Sequence, residues 1–373
     1  MILDIYGKDY KRKGFINTFS SASYNFPFNG VGDFTIKVPI TEPSISYLVK
    51  DNFVLLDEGI IGIIRSREFD QTEEEQNTLI ISGSLASELF LRRCFEKTYR
   101  YSGKLSNVVR SMVTNLVINP TDTKRKISSV SLSQDQQYIP DGSSFKIQKT
   151  GDYLADGIVD TLNLENKGFN LYPVLDTDED GAFIDTLEFR VLEGVDRTVN
   201  NTDDNTPVVF SSENNNIKSF VYEENADDLK NVAYGAGQGR AEQRYLVTVG
   251  ETTAEDVDRY ELYVDARDLQ QEEGESEADY LLELQNRTLS KLSEHKTFVS
   301  IDGTIADGVA NYKIGTDFNV GDFVSFKLGI LDIIVDTQIV NLSKMYSNNQ
   351  EFIDLTFGFE KSSIKEIIRK GGI

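Results

Sequence analysis

The chain is poor in the residues that build metal and redox sites. Its 373 residues include no tryptophan, one cysteine (Cys94) and one histidine (His295). A lone cysteine cannot form a disulfide within the chain, and these counts exclude zinc sites made of several Cys or His ligands. No apolar run approaches the roughly 18 residues of a membrane span, and the N-terminus lacks the features of a signal peptide. The sequence therefore predicts a protein without a cofactor, made and assembled in a cytoplasm.

Basic residues are scarce relative to acidic ones. The chain has 38 Lys and Arg against 61 Asp and Glu, a formal net charge of −23. Nucleic acids and anionic membranes require a basic surface, so neither is a predicted partner. Residues 92–126 nevertheless carry nine basic and two acidic residues, whereas residues 251–283 carry thirteen acidic and two basic ones. These segments are either solvated faces or complementary interfaces that fix register in an assembly.

Apolar residues are present in sufficient number for several packed cores. They form 39% of the chain, with 22 Phe and 17 Tyr, and the length indicates two to four domains. Alternating apolar residues predict strands in residues 1–85, and residues 86–195 mix helical and strand patterns. The predicted fold is α+β and mainly β, with two similar small β-barrels that flank an α/β insert. The predicted parts are 1–85 for the first barrel, 86–206 for the α/β domain, 207–250 with 298–373 for the second barrel, and 251–297 for a strand-and-helix insertion.

Helical periodicity is strongest in three segments. Apolar residues at 3–4 spacing predict helices over residues 105–118, 152–165 and 276–296. Gly168 is the expected left-handed stop of the second helix. Five residues share one face of the third helix at 4-3-4-3 spacing: Ala278, Leu282, Gln285, Leu289 and Leu292.

Two distant segments resemble each other. Residues 51–83 and residues 321–358 each contain Phe-Val, a Gly-Ile turn, an Ile-Ile strand, a polar hairpin loop and an apolar strand that ends in glycine. Such repeats indicate a duplicated structural unit, although any two strongly β segments share part of this pattern. We infer two similar small barrels or sandwiches, one near each end of the chain.

One acidic motif resembles a calcium-binding loop. Asp176, Asp178 and Asp180 alternate before a glycine, as the ligands of such loops do. The twelfth position is Leu187 where the loop requires glutamate, and both flanks have strand patterns. An acidic hairpin turn is the simpler interpretation, so these three aspartates are only a weak metal-site candidate.

No other motif selects a reaction. Residues 235–239 are glycine-rich and follow a strand, but a second strand comes next, which favours a loop over a phosphate-binding turn. His295 lies near the end of a predicted helix, as an ordinary surface histidine does. No pair of carboxylates stands out for glycoside hydrolysis. The sequence therefore predicts that the protein is not an enzyme.

The element order resembles that of the siphophage tail-hub family. This family includes the N-terminal regions of tail-associated lysins and the baseplate hubs of lactococcal-type phages. The segments that carry the resemblance are, in chain order, GDFTIKVP, GIIGII, ISGSLASELFLRR, TGDYLADGIVDTL, VAYGAGQGRAE and RYELYVDARDL. They cover nearly the whole chain with diffuse patterns and include no catalytic signature.

The resemblance implies a homotrimer in the virion, at the tail tip or baseplate. Each chain would give two tube-like barrels, so that three chains make a pseudo-sixfold ring. The implied partners are a distal tail ring protein, receptor-binding or tip proteins, and phage DNA only in passage. Longer relatives carry a C-terminal peptidoglycan hydrolase; this chain stops shortly after the second predicted barrel, so we expect no lytic activity.

A second interpretation is a β-rich protein that binds host-surface carbohydrates or mediates adhesion to the host. Such a protein needs an aromatic platform, which the 17 tyrosines could supply. The absence of tryptophan weighs mildly against it. A carboxylate hydrolase is a third interpretation, for which the sequence nominates no residues.

Overall fold

The computed structural model divides the chain into two compact units. The first comprises Met1–Glu193 and Ala226–Thr297, and the second comprises Gly194–Asn225 and Phe298–Ile373. More residues lie in strands than in helices, so the predicted mainly β class is confirmed. The division of the chain into four parts, which is finer than these two units, remains a prediction. The structure describes residues 2–71, 77–179, 181–211, 213–214, 216–240, 243–271, 273–295, 298–305, 312–329, 333–348 and 350–358.

An antiparallel sheet of seven strands opens the first unit. Its strands are β1 (Leu3–Tyr6), β2 (Arg12–Ile16), β3 (Ser21–Pro27), β4 (Asp33–Pro39), β5 (Phe53–Asp57), β6 (Ile60–Asp70) and β7 (Thr78–Leu85), with helix α1 (Glu42–Tyr47) before β5. The strand order is β3-β4-β7-β6-β5-β1-β2. Phe34, Ile36 and Val38 of β4 are buried while their neighbours are not, which is the period-2 pattern of a half-buried strand.

Phe34 packs at the centre of this sheet, over two glycines of neighbouring strands. A Cβ atom added to Gly62 of β6 would lie 2.4 Å from the Phe34 ring, and one added to Gly83 of β7 would lie 2.8 Å from it. Both glycines therefore leave the space that the aromatic ring fills, an arrangement known to compensate for glycine within a sheet.

The chain continues into a part that mixes helices and strands. Its elements are β8 (Tyr99–Lys104), α2 (Leu105–Val113), β9 (Val130–Leu132), β10 (Ser144–Lys149), α3 (Leu154–Leu162), β11 (Gly168–Asp178) and β12 (Gly181–Leu192). A π-helix (Thr114–Ile118) extends α2, and short 3-10 helices cover Ala86–Arg92, Thr123–Arg125, Gln136–Tyr138 and Asn163–Glu165. β8 pairs with β10, while β11 and β12 form a hairpin with β9 beside β12. The rings of Phe90, Phe169 and Phe189 meet in the shared core.

The predicted helices over residues 105–118 and 152–165 are confirmed, but the stop of the second differs. Asn166, with φ of 51°, takes the left-handed conformation that was expected of Gly168. Gly168 is needed for a different reason, because an added Cβ would lie 2.1 Å from the carbonyl oxygen of Phe28. The glycine allows a close backbone approach and does not end the helix.

Three strands then begin the second unit, and the chain returns to the first. The strands are β13 (Asp196–Arg197), β14 (Val209–Phe210) and β15 (Ile217–Asn225). The segment that follows forms β16 (Val232–Ala236), β17 (Leu246–Gly250), a 3-10 helix (Asp256–Asp258), β18 (Glu261–Asp265) and α4 (Glu277–Ser293). Its sheet has the order β17-β16-β18, with β18 parallel to β16 and β17 antiparallel to it. We call these strands with α4 the β16–α4 module.

The helix α4 is confirmed, and the face with 4-3-4-3 spacing is not its buried side. On that face, Leu292 is buried whereas Leu282 and Leu289 are largely exposed. Tyr280 and Leu284 are buried instead, against the sheet of the module. The apolar stripe is not the buried side, because α4 packs against the sheet of the module on one side and, through polar residues, against β10 on another.

The second unit ends with β19 (Phe298–Ile305), β20 (Phe323–Leu328), β21 (Ile333–Ser347) and β22 (Gln350–Gly358). They extend β15 into the antiparallel order β15-β19-β22-β21-β20, and β13 and β14 lie parallel to β20. Among the strands that the structure describes, neither large sheet closes into a barrel, because its last strand does not pair with its first. Throughout the described ranges, every helix is too short or too polar to cross a bilayer.

Candidate functional site

The two units contain sheets with the same strand order. β3-β4-β7-β6-β5 of the first unit corresponds strand for strand to β15-β19-β22-β21-β20 of the second, and every adjacent pair is antiparallel. The last three strands of each set span residues 53–85 and 323–358, which nearly coincide with segments 51–83 and 321–358, whose sequences resemble each other. The sequence repeat is therefore a repeat of topology.

The likeness extends to individual backbone hydrogen bonds. In the first unit the N–H of Asp51 donates to the carbonyl of Ile64 at 2.8 Å, and the N–H of Ile64 donates to the carbonyl of Asn52 at 2.9 Å. Asp51 has φ of 66°, in the left-handed region. The turn before β5 thus holds the middle of the long strand β6 by two bonds.

The second unit repeats this arrangement before β20. The N–H of Gly321 donates to the carbonyl of Ile339 at 2.7 Å, and the N–H of Ile339 donates to the carbonyl of Asp322 at 2.9 Å. Gly321 has φ of 103°, again left-handed. Here a glycine takes the conformation that Asp51 takes in the first unit, at less steric cost.

A β-bulge follows the bonded isoleucine in both sheets. The register of β6 against β7 shifts between Ile64 and Ser66, and the register of β21 against β22 shifts between Ile339 and Asn341. A bulge bends the strand and increases its twist. β6 and β21 are therefore bent at equivalent points. Before the bend β6 pairs with β5 and β21 with β20, and beyond it they pair with β7 and β22.

Asp322 anchors the turn before β20 with its side chain as well. The carboxylate is 2% exposed and accepts hydrogen bonds from the Val195 N–H at 2.8 Å, the Asn319 N–H at 2.9 Å and the Arg197 Nε at 3.1 Å. These contacts join β13, β20 and the preceding loop. The sequence gives no sign of this role, since Val195 lies 127 positions away.

The arginines of the basic segment make contacts within the chain. Arg92 lies 3.2 Å from the Glu88 carboxylate, Arg93 donates to the Arg125 carbonyl at 2.7 Å, and Arg100 donates to the Gln270 carbonyl at 2.7 Å. The last bond joins the basic segment to the acidic one inside the first unit. Charge matching between copies of the chain remains a prediction.

A cavity of about 100 Å³, lined by charged and apolar side chains, lies between α4, β10 and α3. Lys149 of β10 pairs with Asp160 of α3 at 2.7 Å. Lys146 contacts the Glu275 carboxylate and lies 3.9 Å from that of buried Glu283. The side of α4 that faces β10 is therefore buried through charged residues. Apolar periodicity cannot identify such a side.

The remaining sequence candidates lie apart from one another. Asp176 and Asp178 are on β11, in the hairpin with β12, and Asp180 lies outside the described residues. Within the described ranges, no three His, Cys, Asp or Glu side chains are grouped so as to hold a metal. The glycine-rich residues 235–239 join two strands of one hairpin, and the Nδ1 of His295 lies 3.0 Å from the Asp228 carboxylate.

Comparisons with known proteins match nearly the whole chain. The model of the family described as siphovirus ReqiPepy6 Gp37-like protein matches residues 2–359. Prophage tail protein gp18 from Listeria monocytogenes EGD-e is 16% identical with a TM-score of 0.54, over 99% of this chain and 97% of that one. The tail protein from Neisseria meningitidis MC58 is 13% identical with a TM-score of 0.54, over 96% of each chain. The 43 kDa tail protein of prophage MuSo2 from Shewanella oneidensis is 11% identical with a TM-score of 0.53, over 96% of this chain and 98% of that one. These structures share its fold, and no curated protein matches it in sequence.

Proposed function

The chain belongs to the siphovirus ReqiPepy6 Gp37-like protein family, and we propose that it is a structural component of a phage tail, the trimeric hub of the tail tip or baseplate. Three solved structures with this fold are named tail proteins, and each match covers almost the full length of both chains. The proposed role is mechanical and non-enzymatic.

The repeated sheet is the observation that carries this proposal. Three chains with two topologically equivalent sheets each would supply six similar elements to one ring, which fits a threefold assembly on a sixfold tube. Neither sheet closes by itself in the described part of a single chain. We propose that closure takes place between copies, as the tube-like role requires.

The proposed ring would surround the path of the DNA. A net charge of −23 per chain makes attraction of a polyanion to the ring unfavourable, so DNA would pass without adhering. The proposed neighbours are a distal tail ring protein on one side and receptor-binding or tip proteins around the hub. The proposed location is the virion, after assembly in the cytoplasm of the host.

The solution mass of the full chain tests the trimer. Multi-angle light scattering is expected to give about 126 kDa, three chains of 42.0 kDa. A 42.0 kDa particle at every concentration would contradict a self-assembled trimer. Addition of the distal tail ring protein would then decide between a hub that closes only on its partner, which would form a larger complex, and a protein that is no hub.

A further inference from the structure

The sheet of the β16–α4 module has one face that α4 does not cover. α4 packs against the other face, through Tyr280, Leu284 and Leu292. Strand pairing places Thr248 of β17, Tyr234 of β16 and Tyr263 of β18 side by side, because residues that pair across strands point to the same face of a sheet. Three strands thus display a row of one hydroxyl and two aromatic rings.

The next row of the same face adds an apolar side chain and a carboxylate. Leu246 of β17 and Asp265 of β18 both pair with Ala236 of β16. Leu246 is 63% exposed and Tyr263 is 60% exposed, high values for large apolar side chains on the face of a sheet. Glu261 of β18 lies two positions before Tyr263 and completes the set. We call Tyr234, Leu246, Thr248, Glu261, Tyr263 and Asp265 the tyrosine face.

Both tyrosine side chains are held in place. The hydroxyl of Tyr234 donates to the Glu261 carboxylate at 2.8 Å and accepts from Arg259 at 2.8 Å. The hydroxyl of Tyr263 accepts from Arg244 at 2.9 Å. Rings fixed in this way lose little conformational freedom when a ligand packs on them, which favours binding.

The arginines beside the tyrosines use most of their donors within the module. Arg244 donates to the carbonyls of Gly237 and Ala236 and, at 2.6 Å, to Asp265. Arg259 donates to Glu261 at 2.7 Å and to the backbone of the preceding loop. These two arginines therefore keep few donors for a phosphate or carboxylate ligand, and the exposed Arg267 is paired with Asp265 at 2.5 Å.

The carboxylates remain ionised and keep lone pairs that can accept further hydrogen bonds. Arg267 and Arg244 lower the pKa of Asp265 to about 2, and the hydrogen bond from Arg259 lowers the pKa of Glu261. Because these arginines already balance the two carboxylates, a cationic peptide would gain little from them. The face therefore offers acceptors and aromatic rings among charges that are already paired with one another.

We infer that the tyrosine face binds an uncharged saccharide. The C–H face of a sugar ring can pack on the exposed Tyr263, while its hydroxyls donate to Glu261 and Asp265. Arg259 lies 5.9 Å from the centre of the Tyr234 ring, so Tyr234 would border the sugar rather than stack on it. An anionic polymer is disfavoured further, since residues 226–297 contain seventeen acidic and eight basic residues. This inference goes beyond the hub proposal and does not depend on it, because the whole face lies within one chain.

Saturation-transfer NMR on the full chain tests the inference. The probes are five neutral oligosaccharides, built of glucose, galactose, mannose, rhamnose or N-acetylglucosamine. At least one is expected to bind. Tyr263→Ala should weaken that binding about tenfold, because an aromatic contact is lost, and Tyr263→Phe should retain most of it. Leu282→Ala is the control, since Leu282 is exposed on α4 of the same module, away from the sheet.

Three results would overturn the inference. The first is that none of the five saccharides binds at millimolar concentration. The second is that binding is equally strong in Tyr263→Ala. The third is that binding disappears between low and high salt, because screening weakens ionic contacts and leaves those of an uncharged ligand. The solution mass is expected to be the same for all variants, so a failure here is distinguishable from a failure of the hub proposal.

Discussion

Replacing Asp322 by alanine is expected to unfold the second unit and to leave the first unit folded. The change removes the acceptor of three hydrogen bonds, so that the Val195 and Asn319 N–H groups lose their partner and Arg197 loses its counter-charge. Removal of one partner from a buried ion pair costs about 3 to 5 kcal/mol. A loss of this size is a large part of the stability of an ordinary domain.

Hydrogen exchange resolves this effect by unit. Amides of β13, β20 and β21 should exchange faster in Asp322→Ala, while those of β4 to β7 keep their wild-type rates. Asp317→Ala is the matched control, since Asp317 accepts one bond from the Lys313 N–H in an exposed loop of the same unit. Equal protection of β20 in both variants would show that Asp322 is not the anchor described above.

Replacing Phe34 by alanine is expected to be about as costly in the first unit. The ring is fully buried and covers Gly62 and Gly83, which have no side chains to move into the space it leaves. Loss of a buried phenylalanine destabilises by about 3 to 5 kcal/mol, with the higher values at sites that cannot collapse. We therefore expect a loss of stability in the upper part of this range. It can be measured from hydrogen exchange of the first unit's amides at increasing urea concentration.

Phe15→Ala provides the control for that experiment. Phe15 belongs to β2 of the same sheet and is 47% exposed, so its removal should cost much less than that of a buried ring. If the two variants lost equal stability, Phe34 would not be a packing centre of the sheet. Loss of protection in the second unit alone would contradict the assignment of Phe34 to the first unit.

Local patterns in the sequence predicted the elements better than their contacts. Alternation identified β4, and 3–4 spacing identified α2 and α3, because both signals depend on near neighbours in the chain. The repeat was visible because both copies keep the same turn, long strand and final strand. The apolar periodicity of α4 did not reveal its buried side, since the polar side of α4 packs on β10 and α3.

The features that sequence reasoning missed depend on distant pairings. β15 pairs with β19 across the intervening residues 226–297, and no periodicity within either strand reveals the partner. Asp322 resembles an ordinary turn residue until Val195 and Arg197 are placed beside it. The tyrosine face has only one sequence signal, the alternation of Glu261, Tyr263 and Asp265 in β18. Its other residues join it only through the pairing of β16 with β17 and β18.

Electron microscopy of the purified chain tests the central claim most directly. Class averages viewed along the assembly axis are predicted to show a ring with a central channel, bounded by six similar densities that come from three chains. That result would follow from two equivalent sheets per chain and threefold symmetry. A particle with three dissimilar lobes and no channel would contradict the claim that the repeated sheets build a ring.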